Sequence, residues 1–200
     1  MKEIDNDDGS PPADLYFGNI IGAFSRALSD KMDRAVRKAA GLSSSACYTI
    51  VTVGTEPYSS IETLRRMLGL EHSSLVRLID RMQKQGLLRR IRGIGKDLRE
   101  VKVTLTERGE DCFSKILTAR REVLENAMRS LTCEDRERIS AMIHKMMPNV
   151  VDGGDDQHYV CRLCDIDACP QENCPVNLAY PELIELPEKR PKELRQCSVN

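Results

Sequence analysis

Four cysteines stand within fourteen residues near the end of the chain, in the stretch "HYVCRLCDIDACPQENCPVN" (158–177). Their order is Cys161-x2-Cys164-x4-Cys169-x4-Cys174. A Cys-x2-Cys pair presents two thiolates from one turn, and two further sulfurs close behind complete a shell of four. Pro170 and Pro175 follow the third and fourth cysteines. A proline fixes its own φ and restricts the residue before it, so the spacing predicts extended turns here and no helix. The pattern points to one metal centre per chain. Zinc suits four thiolates in a closed site, and an iron–sulfur cluster suits them as well and would add redox sensing. Zinc is narrowly favoured because it makes the fewest geometric demands; cysteine before proline also occurs in ferredoxin-type ligation, although the spacing differs from that run. Reversible disulfides among the four thiols are a third chemistry. His158 lies three residues before Cys161 and reads as an exposed linker residue before it reads as a replacement ligand. Cys47, Cys112 and Cys133 fall on predicted helices and read as small core residues, with Cys133 at a helix start where a thiol pKa can fall. Cys197 lies in a charged, proline-spaced tail.

The second chemistry is cationic. The net charge of the 200 residues is -1, but the charge is segregated. Residues 1–14 hold five acids against Lys2, and residues 149–200 hold ten acids against five bases. Residues 61–110 hold twelve Arg and Lys against seven acids. A basic middle between acidic ends suits a polyphosphate partner.

Several classes are excluded or set aside. No run of about 18 apolar residues exists, so no membrane partner is expected. The acidic start lacks the basic-then-apolar order of a secretory signal, which leads us to expect a cytoplasmic protein with reduced thiols. Eight cysteines in that setting suggest metal or redox chemistry before disulfides. No paired catalytic carboxylates, phosphate-binding glycine loop or His-Glu-x-x-His site appears, the three histidines are scattered, and four cysteine ligands leave zinc no open position. The chain does not read as an enzyme. The competing reading is a zinc or iron–sulfur module for protein interaction or electron transfer, in which the cysteines carry the whole function.

The elements that must position these groups follow from periodicity. Residues 1–13 read as an acidic disordered tail. After Asp14 the apolar positions Leu15, Ile20, Ile21, Phe24, Leu28, Met32 and Val36 recur at helical spacing, so a long amphipathic helix runs to Gly41. A short buried helix follows to about Gly54. In "PYSSIETLRRMLGLEHSSLVRLIDRMQKQGLLRR", Ser59 or Ser60 caps one helix, Gly69 breaks it, His72 to Ser74 cap a second, and Gly86 stops that one. Two short helices joined by a glycine turn make a helix-turn-helix, whose second helix enters the major groove by its N-terminal end. Its outward residues are His72, Ser73, Ser74, Arg77 and Arg81. These are the hydrogen-bonding and cationic types that base edges and phosphates require. Leu88, Ile91, Val101, Val103 and Leu105 then mark two strands around the turn "RGIGKD". This hairpin carries Arg89, Arg90, Arg92, Lys96, Arg99 and Lys102 and reads as a wing able to reach a narrow minor groove. Thr106 and Thr132 cap two further helices striped with Ile116, Val123, Ile139, Met142 and Met146. A small winged domain has little room to cover the first and last helices, so a two-fold dimer is expected.

The order of elements, together with "LVRLIDRMQKQGLLRR" and then "GIGKDLREVKVTLTERG", resembles the MarR family of bacterial transcription regulators over roughly residues 14–147. The strongest match is Asp97-Leu98-Arg99, followed by Leu105-Thr106 and Gly109. The resemblance implies that Arg99 is the wing arginine that reaches the minor groove and that Asp97 braces it. It implies a homodimer joined through N- and C-terminal helices, and often a repressor released by a small ligand or by thiol oxidation. The cysteine-rich segment departs from the common pattern. The expected architecture is a mostly α, α+β winged helix-turn-helix over 14–147, a linker over 148–157, a four-cysteine knuckle over 158–178 and a flexible tail over 179–200. The expected partner is double-stranded DNA, with Ser73, Ser74 and Arg77 reading bases and Arg89, Arg90 and Lys102 neutralising phosphates.

Overall fold

A computed structural model describes residues 13–93, 99–152, 155–166, 168–169 and 171–179. Among these, helices α1 (Ala13–Ala40) and α2 (Ser44–Thr55) precede a two-residue strand β1 (Ser59–Ser60). Helices α3 (Ile61–Leu68) and α4 (His72–Lys84) follow, then strands β2 (Leu88–Ile91) and β3 (Lys102–Leu105). The long helix α5 (Glu107–Ala127) and α6 (Cys133–Met146) come next, and two short helices, α7 (Asp155–Cys161) and α8 (Pro175–Ala179), lie in the cysteine segment. The fold is mostly helical with one small antiparallel sheet, as the periodicity predicts.

Local chemistry sets most boundaries. Ser43, Ser60 and Thr106 each accept a hydrogen bond from a backbone N–H in the first turn of α2, α3 and α5, satisfying a donor that the helix itself leaves open. Thr132 and Asp135 form a reciprocal capping box at the start of α6. Gly69 ends α3 with φ +60°, a left-handed conformation that favours glycine. Leu64 and Leu68 of α3, Leu75, Ile79 and Met82 of α4, and Ile116 of α5 are buried at helical spacing. They meet Ile50, Leu88 and Val103 in one core. Cys47 and Cys112 belong to it, while Cys133 is half-buried.

The sheet has the order β1-β3-β2, with Leu88 opposite Leu105, Ile91 opposite Lys102 and Ser59 opposite Val103. Strand β1 escapes sequence reading because two serines carry no alternation and Ser60 also serves as a helix cap. The cap of α4 is Glu71, which makes no side-chain capping bond. His72, Ser73 and Ser74 are already inside the first turn instead of capping it. The expectation that the prolines exclude helix from the cysteine segment is corrected. Pro175 is the first residue of α8, where its missing N–H would be unpaired in any case, and α7 runs as far as Cys161.

Two apolar faces are exposed among the described residues. Leu15, Phe17, Ile20 and Phe24 of α1 are exposed, as are Ile139, Met142, Ile143 and Met146 of α6, and α6 has no buried residue at all. Among the described residues, no helix is long and apolar enough to cross a membrane.

Candidate nucleic-acid interface and thiol cluster

Helices α3 and α4 carry the helix-turn-helix. The apolar stripe Leu75, Leu78, Ile79 and Met82 faces the core, so the same helix turns His72, Ser73, Ser74, Arg77 and Arg81 outward, and all five are exposed. Arg89 and Arg92 on the wing are exposed, and so is Arg99 where the hairpin returns. Lys96 and Asp97 lie outside the described residues, so the brace on Arg99 implied by the resemblance does too. The outward donors and cations of α4 and the described wing arginines Arg89, Arg92 and Arg99 are thus all exposed.

Two of the expected phosphate contacts are engaged inside the protein. The Arg90 guanidinium meets Asp80 at 2.6 Å and donates to the Gln83 side-chain oxygen at 2.8 Å. Both partners sit on α4, so Arg90 ties the wing strand to the recognition helix. Its fork is filled by an internal carboxylate, which sequence spacing across two elements does not reveal. Lys102 is half-buried and pairs with Glu100 at 3.1 Å.

The four tail cysteines come together as one group of free thiols. The Cys161 thiol donates toward Cys164 and Cys174, and these bonds raise its pKa far above the ordinary value. Cys169 donates toward Cys174 and is raised in the same way. Cys174 accepts from both and from the backbone amides of Asn177 and Val176, which favours its thiolate. Cys164 accepts from Cys161 and lies beside the Arg120 guanidinium of α5, which together bring it down to about 7. Among the described residues, no set of three or more His, Cys, Asp or Glu side chains stands ready-made around one ion position. The thiols are joined to one another pairwise.

The cluster is fastened to the winged domain by residues that sequence reading did not single out. Arg162, between Cys161 and Cys164, stacks on the Tyr159 ring at 3.7 Å and on the Tyr48 ring at 4.7 Å. Its Nε is buried without a hydrogen-bond partner. Tyr48 on α2 donates to Asp33 of α1 at 3.0 Å; burial first, and then that carboxylate, push its hydroxyl above its usual pKa. The Tyr159 ring lies against Gly69, 3.6 Å from where a β-carbon would sit. Leu163, the other residue between the paired cysteines, packs on the main core. His144 of α6 reaches the Asn173 carbonyl at 3.1 Å, next to Cys174. His158 is exposed, as expected. The one sequence signal for this docking was an arginine and a leucine placed inside a Cys-x2-Cys pair.

The MarR family model matches residues 40–99, which hold the helix-turn-helix and most of the wing. A MarR-family protein from Bacillus stearothermophilus is similar in structure, with a TM-score of 0.59 at 18% identity over 68% of this chain and 94% of that one. A MarR-family transcriptional regulator from Silicibacter pomeroyi gives a TM-score of 0.55 at 22% identity over 72% and 99%. Streptococcus pneumoniae FabT, solved in complex with DNA, gives 0.57 at 14% identity over 67% and 96%. At these identities the structures establish the shared fold. They cover nearly their own full length while leaving about a third of this chain unmatched. This chain is thus similar to the MarR family over residues 40–99 and shares its winged-helix fold with the solved structures.

Proposed function

We propose that the chain acts as a homodimer that binds a roughly palindromic operator in duplex DNA and represses transcription by occupying it, with its affinity tuned through the C-terminal thiol cluster. The observation that carries this reading is the joint exposure of Ser73, Ser74 and Arg77 on α4 and of Arg89, Arg92 and Arg99 on the adjoining wing. Ser73, Ser74 and Arg77 read base edges, with His72 and Arg81 at the margins of that contact. Arg89 and Arg92 neutralise phosphates, and Arg99 enters the minor groove. The bare apolar faces of α1 and α6 support the dimer, because a second copy buries both. Two-fold symmetry then sets two recognition helices about one helical turn of DNA apart. Repression needs nothing beyond tight occupancy of the site.

The test is Arg99→Ala, titrated by gel shift against a duplex selected by the native protein from a randomised pool. Tight binding should be lost while the dimer and its thermal transition are kept. Native affinity in the variant would remove Arg99 from the interface.

A further inference from the structure

Arg162 bridges two tyrosines that lead in opposite directions. Its guanidinium lies 3.7 Å from the Tyr159 ring and 4.7 Å from the Tyr48 ring of α2. From this placement we infer that Arg162 is a positioning residue for DNA recognition. With Tyr48 and Tyr159 it forms a strut from α1 to the turn of the helix-turn-helix, and the strut sets the half-site spacing that the protein accepts. The inference rests on the proposed DNA-binding reading and names the residues that give that reading its geometric specificity.

One end of the strut is fixed at α1. The Tyr48 hydroxyl donates to one oxygen of Asp33 at 3.0 Å, and the Ser44 hydroxyl donates to the other at 3.0 Å. Both carboxylate oxygens thus hold α2 to α1. The other end rests on the turn. The Tyr159 ring lies against Gly69, which ends α3 at φ +60° just before α4 begins at His72. In between, Arg162 donates to the Tyr159 carbonyl, and its neighbour Leu163 packs on the main core. The Arg162 Nε is buried and finds no acceptor among the described residues. The contact is therefore made by the flat faces of the guanidinium, which stack on aromatic rings as a lysine ammonium does not.

The two ends have different tasks in the proposed dimer. The exposed apolar face of α1 reaches Phe24 and meets the second copy, and Asp33 lies about 14 Å further along the same helix. The contacts from Asp33 through Tyr48, Arg162 and Tyr159 to Gly69 then join this dimer frame to the reading head. Adding one base pair between two half-sites moves one of them by about 3.4 Å and rotates it by about a tenth of a turn. A head held stiffly on its frame rejects that displaced site. A head released at Gly69 follows it.

The experiment uses the full chain in four forms: native, Arg162→Ala, Tyr159→Ala and Tyr159→Phe. Hydrogen exchange is read without DNA at Gly69 and Leu70, whose N–H groups donate to the Arg66 and Arg65 carbonyls at 3.2 Å. Binding is measured on the duplex selected by the native protein and on the same duplex with one base pair added between its half-sites. Arg162→Ala and Tyr159→Ala should speed exchange at both amides about 5- to 150-fold, the usual range for coupled sites. Both should also shrink the native preference for the selected spacing by a comparable factor. Tyr159→Phe keeps the stacking ring and should match the native protein in both readouts. If it behaves like Tyr159→Ala instead, stacking is not the contact and the strut fails. Native exchange in Arg162→Ala would overturn the strut as well. Weaker binding by the same factor on both duplexes would make Arg162 a structural contact only and overturn the spacing role. No duplex enriched by the native protein would overturn the DNA-binding reading and the spacing role with it, while exchange shows separately whether the strut stands.

Discussion

Arg90 and Arg89 are neighbours on one strand, yet they face different partners. Arg90 is held by Asp80 and Gln83 of α4, while Arg89 is exposed. A residue that neutralises a phosphate contributes about one unit to the dependence of log affinity on log salt. Arg89→Ala should therefore lower that slope by about 1 and weaken all sequences alike. Arg90→Ala should weaken binding with the slope unchanged, because it releases α4 from the wing without removing a phosphate contact. Binding isotherms at several salt concentrations separate the two, and equal slopes for both variants would refute the distinction. This difference is invisible in "GLLRRIR", where the two arginines are adjacent and chemically identical. Only strand alternation and the position of Asp80, ten residues before Arg90, tell them apart. The outward set on α4 was legible because the apolar stripe fixes which side faces water.

At the scale of elements, two junctions carry testable consequences. Helix α5 approaches the wing so closely that a β-carbon on Gly109 would lie 2.1 Å from the Leu87 carbonyl oxygen. That carbonyl accepts the Thr106 N–H at 3.1 Å where β3 passes into α5. Gly109→Ala should therefore cost about 1–3 kcal/mol through displaced backbone, measured by denaturant unfolding. Unchanged stability would mean that the approach is looser than described. At the start of α6, the Thr132 hydroxyl and the Thr132 backbone N–H hold the Asp135 carboxylate below its ordinary pKa. A depressed carboxylate stabilises its helix above its ordinary value, about 3.8, and the contribution fades as pH falls through the lower folded value. An NMR titration should show Asp135 titrating below the usual range, and Thr132→Ala should return it upward. An ordinary value in the native protein would contradict the cap. The caps at Ser60, Thr106 and Thr132 were readable because each is a hydroxyl just before an apolar-periodic run. Strand β1 and helices α7 and α8 were not, since they are short and are fixed by pairing with β3 or by packing on α3 and the thiols, contacts that no local window contains.

The whole molecule is a reading head with two unfinished surfaces. The cysteine segment contacts α2, α3, α5 and α6 at Tyr48, Gly69, Arg120 and His144. The sequence places this segment after a linker, and Arg162 and Leu163 inside the Cys-x2-Cys pair hint that it docks without saying where. Long-range contacts of this kind depend on the path of the chain around the core. The apolar faces of α1 and α6 are exposed, with Phe24 at 60% and Met142 at 58%, and the proposed dimer would bury them. The most direct test of the account is selection of duplexes from a randomised pool by the purified native protein, followed by measurement of the stoichiometry on the enriched sequence. The account predicts an inverted repeat with half-site centres about 10 base pairs apart, bound by two chains and weakened steeply by salt. A pool with no enriched sequence, or a single chain on an asymmetric site, would contradict it.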